Sequence, residues 1–122
     1  SSTMRFADLV RAALHQMVLS GTASARNVAL LFGIHERTLR KRLTAEGTGL
    51  QQLIDQTRFE LAKQLLENTE LPLAEIASAL HFADPAVFSR AFRAWAKTNP
   101  REWRVRRDHQ AVPRTDGPGQ EV

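Results

Sequence analysis

The sequence has 122 residues and no cysteine, which excludes a disulfide framework and any thiolate metal centre. It also lacks an apolar run of about 18 residues, so no segment reads as a membrane-spanning helix. Its four histidines, His15, His35, His81 and His109, form no ligand cluster, and no metal is expected. There is no carboxylate pair, no nucleophile–base arrangement and no phosphate-cradling glycine loop, so the sequence carries no enzyme reading and implies no cofactor. Met4–Leu19 is amphipathic and interrupted by charge and does not read as a signal peptide, so a cytoplasmic location is the expectation.

What is present is charge and helical periodicity. The formal net charge is +4 and 43% of residues are hydrophobic, enough for one small domain with a modest core. The cations are clustered. Arg37–Arg42 (RTLRKR) holds four in six residues, and Arg101–Arg107 holds four arginines. A basic balance suits a polyanionic partner without proving one.

Residues 1–4 are set aside as a cloning remnant or flexible start. Phe6, Val10, Ala13, Leu14, Met17 and Val18 then fall at helical spacing, predicting a helix from about Arg5 to Leu19 that Ser20-Gly21-Thr22 ends. Ser24 caps a second helix reaching Phe32, and Gly33 supplies the left-handed residue that a tight turn needs. A third helix spans about Glu36 to Ala45, closed by Gly47-Thr48-Gly49. Leu50, Leu53, Ile54, Thr57, Leu61 and Leu65 form one stripe over a long helix from Leu50 to about Asn68. At about 1.5 Å per residue it spans roughly 28 Å, against about 34 Å for one turn of B-DNA.

Leu71–Trp103 is the most informative stretch. One short helix follows Leu71-Pro72, with Leu73, Ile76, Ala77 and Leu80 on one face. His81-Phe82-Ala83 makes a turn. Asp84 and Pro85, a capping residue and a favoured first helical residue, open the next helix. Its apolar stripe is Val87, Phe88, Ala91, Phe92 and Trp95, with Ser89, Arg90 and Arg93 facing elsewhere. Two helices, a short turn and a basic outer face on the second helix make a helix-turn-helix signature. Asn99-Pro100 starts a final short helix in which Trp103 is expected to pack back on the core. The tail from Asp108 has Pro and Gly but no period, and is expected to be disordered.

The same design occurs earlier. Val28–Leu43 (VALLFGIHERTLRKRL) lies over Ile76–Phe92 with one extra residue in the later copy. Val28 then matches Ile76, Ala29 matches Ala77, Phe32 matches Leu80 and Ile34 matches Phe82. Beyond the insertion Leu39 matches Phe88, Lys41 matches Arg90 and Leu43 matches Phe92. Two such units in one chain can bind DNA as a pseudo-dimer.

From Ser24 to Arg107, and most specifically over DPAVFSRAFRAWAKTNPREWR, the chain closely resembles the DNA-binding domain of the AraC/XylS family of bacterial transcription regulators. The resemblance implies an all-α fold of seven helices. Two helix-turn-helix units, at about 24–45 and 73–96, are joined by a linker helix at about 50–68, all within a domain of residues 5–107. It implies promoter binding through adjacent major grooves, and an effector-binding or dimerisation domain ahead of this one in full-length members. Two positions depart from the family pattern: His81 stands where Gly is usual in the second turn, and His35 replaces the usual hydroxyl cap.

On the family motif, Arg37, Arg40 and Lys41 are the base-contact candidates of the first recognition helix, at i, i+3 and i+4 on one face. Thr38 and Arg42 lie nearby as backbone contacts. In the second unit Arg90 is the leading base contact, with Ala86 and Ser89 on the same face. Arg58, Arg93, Arg101 and Arg104 are phosphate candidates. Ser24 and Asp84 cap helices whose backbone N–H groups can meet phosphate. For each cation the competing assignment is ordinary solvated charge. Phe32, Phe82, Phe88, Phe92, Trp95 and Trp103 are assigned to the core rather than to base stacking.

The expected partner is a double-stranded DNA site of about 20 bp, bound by a monomeric fragment; dimerisation would belong to a domain that precedes this one. The alternative is a helical interaction module that contacts RNA polymerase or another regulator without reading bases.

Overall fold

The computed structural model describes residues 4–116, with side chains through Asp108. Those residues form seven α-helices: α1 (Phe6–Ser20), α2 (Ala25–Phe32), α3 (Glu36–Ala45), α4 (Leu50–Asn68), α5 (Leu73–Ala79), α6 (Pro85–Ala96) and α7 (Pro100–Asp116). None of them is long and apolar enough to cross a membrane. The chain divides into two compact units, residues 1–61 and 62–122, with α4 running from one into the other.

In the first unit, Phe6, Ala7, Val10, Leu14 and Val18 of α1, Val28 and Ala29 of α2, Leu39 and Leu43 of α3, and Leu53, Ile54, Thr57 and Leu61 of α4 are buried. The buried Thr57 hydroxyl donates to Leu53 O at 2.8 Å, so the polar group is not left unsatisfied. Gly21 and Gly33 stop α1 and α2 in the left-handed region, at φ 75° and 68°. Each turn is closed in the Schellman manner, by Thr22 N–H on Met17 O and Ile34 N–H on Ala29 O.

The second unit has an aromatic core. Phe88 and Phe92 are fully buried, and ring contacts run from Trp95 to Phe82 at 6.3 Å, Phe82 to Phe88 at 5.3 Å, Phe88 to Phe92 at 6.0 Å, and Phe92 to Trp103 at 5.6 Å. Tilted and edge-to-face pairs of this kind add to the area term of burial. The six aromatics assigned to the core are thus buried or half-buried; Phe32, in the first unit, meets Phe6 edge-on at 5.3 Å.

The repeat register holds at most positions, Phe32 being half-buried where its counterpart Leu80 is buried. Val28 and Ile76, Ala29 and Ala77, Leu39 and Phe88, and Leu43 and Phe92 are buried in pairs, while Lys41 and Arg90 are both exposed. His35 and Asp84 occupy the same N-cap position, although only Asp84 makes a side-chain cap, accepting from Val87 N–H at 3.0 Å. Gly33 and His81 occupy the same turn position, and His81 sits at φ 65°. Its turn closes through Phe82 N–H on Ala77 O at 2.9 Å, as in the first unit.

Two expectations fail in detail. Along α4, Leu65 is only half-buried, and Ala62 and Leu66 are buried instead. A step of four residues overshoots a helical turn by about 40°, so a long run of +4 steps rotates off the buried face. At the other end, α7 continues through Asp108 to Asp116, where a disordered tail was expected. The helix is already nucleated by Asn99, which accepts from Glu102 N–H at 2.8 Å, and propagation costs far less than nucleation. Residues 117–122 of that tail, and residues 1–3 of the expected flexible start, lie outside the described residues.

A histidine at positive φ carries a steric cost of roughly 1–2 kcal/mol that glycine avoids, offset in part by glycine's greater freedom when unfolded. His81→Gly is therefore expected to raise Tm by a few degrees. Thermal unfolding followed by circular dichroism checks this; an unchanged or lower Tm would reject it.

Candidate nucleic-acid interface

Each unit turns one helix face outward for the same reason. In α3 the burial of Leu39 and Leu43 sets the rotation about the helix axis, leaving Arg37, Thr38, Arg40 and Lys41 exposed. Arg37, Arg40 and Lys41 are held by no ion pair or hydrogen bond among the described residues. Their charged ends are available to a ligand without breaking an internal contact. The sequence placed these three together, and the structure keeps them so.

Arg42 is different. It is exposed, but its guanidinium carbon lies 3.9 Å from the centre of the Phe6 ring, a cation–π contact that draws it back toward α1. That contact ties α3 to α1. Glu46, which no sequence feature singled out, reinforces the tie. Its carboxylate accepts from Phe6 N–H at 3.1 Å and Ala7 N–H at 2.8 Å, capping α1 from 40 residues away, and Arg5 donates to Glu46 O at 2.9 Å. A cap so distant in the chain leaves no local spacing to find it by.

Ser24 caps α2 by accepting from Asn27 N–H at 3.0 Å. The remaining first-turn N–H groups have no intrahelical acceptor and keep the helix end suited to an anion. Arg58 is half-buried on α4.

In the second unit, burial of Phe88 and Phe92 leaves Ala86, Arg90 and Arg93 exposed and Ser89 half-buried. Asp84 is exposed, and its carboxylate is committed to the cap. Lys97 ends α6 at φ 65°, a second non-glycine residue in that region that the sequence did not suggest.

The cluster Arg101–Arg107 splits. Arg101 and Arg106 are exposed, whereas Arg104 and Arg107 are half-buried. Arg104 donates from Nε to Leu66 O at 3.1 Å, from one terminal nitrogen to Leu71 O at 2.7 Å, and from the other to Thr69 O at 3.1 Å and Leu65 O at 3.4 Å. Arg107 adds donors to Glu67 O at 3.0 Å and Leu66 O at 3.3 Å, and pairs with Asp108. The carbonyls at the end of α4 have no partner within their own helix, and positive charge suits that end. Arg104, expected at a phosphate, is therefore a structural cap for α4. Trp103 supports it, donating from Nε1 to Glu67 at 2.9 Å.

Comparison with known proteins agrees with this geometry. A family model described as a helix-turn-helix domain matches residues 28–106. The chain belongs to this family, the helix-turn-helix domain of AraC/XylS-type regulators. Over 68 residues it is 47% identical to an ornithine utilization regulator of Pseudomonas aeruginosa, covering 56% of this chain and 20% of that protein. It spans between about a fifth and two fifths of the length of the curated relatives it matches. Among solved structures, a DNA-binding transcriptional dual regulator of Escherichia coli K-12 superposes with a TM-score of 0.83 at 18% identity, covering 89% of this chain and 97% of that one. The DNA-binding domain of AdpA, crystallised with a target DNA, gives 0.71 at 21% identity, covering 88% and 96%. At these identities the two likenesses establish the fold.

Removing Arg104 takes the donor from Leu71 O, while Leu65 O, Leu66 O and Thr69 O keep donors from Thr69 or Arg107, and a buried polar group left unsatisfied costs about 1–3 kcal/mol. Arg104→Ala is expected to lower stability by that order or more, whereas Arg101→Ala stays within about 0.5 kcal/mol, as exposed substitutions do. Urea unfolding of the two variants checks this; equal losses would contradict the inward role of Arg104.

Proposed function

We propose that this chain is the DNA-reading part of a transcription regulator. It binds double-stranded DNA sequence-specifically, with α3 and α6 in adjacent major grooves of a promoter. The single observation that carries the reading is the sorting of cations. Arg104 and Arg107 spend their donors on backbone carbonyls, whereas Arg37, Arg40 and Lys41 on α3 and Arg90 on α6, of which Lys41 and Arg90 align in the repeat, are exposed and make no internal contact among the described residues. Relatives whose names call them transcriptional regulators or activators, and a domain of the same fold crystallised with target DNA, support it.

In this reading Arg37, Arg40, Lys41 and Arg90 reach base edges, with Ala86 and Ser89 beside Arg90. Arg93, Arg101, Thr38, Arg58 and the N-termini capped by Ser24 and Asp84 meet the phosphates. Phosphate neutralisation supplies most of the affinity, and base contacts choose the sequence. The 19 residues of α4 suit heads about one DNA turn apart, giving a site of roughly 20 bp for a monomer. Leu30 and Leu31 of α2 are 68% and 60% exposed, which favours a second reading in which α2 meets a protein partner such as RNA polymerase.

Selection from a random-duplex library at near-physiological salt tests the proposal, with two short elements about 10 bp apart expected. No enrichment, with salt-insensitive binding to a protein partner, would replace DNA reading by the interaction-module reading. Arg40→Ala or Arg90→Ala should each cost about 1–3 kcal/mol on the selected site and relax one base pair. Equal losses on selected and random duplexes, measured by fluorescence anisotropy, would make those arginines phosphate contacts.

A further inference from the structure

The two outward faces align but do not carry the same chemistry. In the repeat register set by His35 and Asp84, Glu36 aligns with Pro85, Arg37 with Ala86, Arg40 with Ser89 and Lys41 with Arg90. At these four aligned positions the first head is long-armed and charged throughout, whereas the second has a single long arm, Arg90. Glu36 is the residue that a simple basic surface does not account for. It is the first residue of α3 and it is exposed. It stands four residues before Arg40, the spacing at which Glu and Arg pair on a helix. Among the described residues no ion pair joins them. A carboxylate on a face that approaches phosphates opposes binding through the same electrostatics that favour the arginines.

We propose that Glu36 is a specificity-determining residue that accepts a hydrogen bond from the N4 amino group of a cytosine, beside guanines read by Arg37 and Arg40. The inference rests on the DNA-reading function proposed above. Three arguments converge on it. The N-terminal residues of a recognition helix are the ones that reach base edges. Cytosine N4 is the major-groove donor that Glu and Asp accept from, while Arg reads guanine O6 and N7. The third is the neighbourhood: Glu36, Arg37 and Arg40 together ask for G·C pairs and for nothing else. The half-site of α3 is accordingly G·C-rich. That of α6 combines one guanine, read by Arg90, with a thymine whose methyl group meets Ala86. The whole site is then not a palindrome, although the two units share one design.

An ordinary role for Glu36 is to favour the helix dipole from the first turn, and the test separates the two. The duplex selected by the unaltered chain and a scrambled duplex of the same length are titrated against the wild type, Glu36→Ala and Glu36→Gln at one near-physiological salt concentration. With the cytosine role, Glu36→Ala binds the scrambled duplex more tightly, having lost a negative charge, yet binds the selected duplex about tenfold more weakly. Replacing the cytosine by thymine, which presents an acceptor there, weakens the wild type by a similar factor and leaves Glu36→Ala unaffected. Glu36→Gln, which keeps an acceptor oxygen, retains part of the preference. Tighter binding of Glu36→Ala to both duplexes alike overturns the proposal and leaves DNA reading intact. A selected motif without a G·C-rich half does the same. Failure of the unaltered chain to select any sequence overturns both.

Discussion

The direction in which α3 leaves α2, and α6 leaves α5, depends on one residue in each turn being held at positive φ: Gly33 in the first unit and His81 in the second. Each is locked by the same bond, from the following residue's N–H to a carbonyl one turn back in the preceding helix. Each is followed by a half-buried apolar residue, Ile34 or Phe82. Glycine adopts this geometry freely, whereas histidine carries a steric cost. That the turn keeps its shape at His81 indicates how firmly the aromatic core of the second unit determines it.

With the direction set, rotation about each recognition helix follows from two buried side chains, Leu39 and Leu43 or Phe88 and Phe92. The opposite face is outward by geometry. The charges on it need no further device to point at a ligand, because packing on one side of a helix positions the other. Cations elsewhere behave differently because their surroundings differ. Arg104 and Arg107 lie against the unsatisfied carbonyls that end α4, and Arg42 lies against an aromatic ring. A guanidinium has five donors in a fixed fork and spends them wherever acceptors converge.

Much of this was legible in advance. Ser24, Asp84, Gly21 and Gly33 mark helix ends through hydrogen bonds a few residues long, so the ends of α1 and α2 and the start of α6 were readable to within a residue or two. The internal repeat carried the burial pattern of one unit onto the other. Other features were not legible, each for a definite reason. Leu66 replaced Leu65 because periodicity drifts along a long helix. Glu46 caps α1 across 40 residues, a distance over which spacing says nothing. α7 outran the expected end because composition is a weak guide once a helix is anchored by Trp103 and Arg104.

The sequence by itself determined what depends on neighbours in the chain: seven helical segments, the caps and turns between them, the duplication, and the faces on which apolar and cationic residues fall. Only the tertiary structure decided what each arginine does. Arg101 and Arg104 are three residues apart in one helix and chemically identical, yet one is exposed and the other closes the end of α4. The difference arises from which carbonyls lie within reach after folding, and those belong to residues more than 30 positions away.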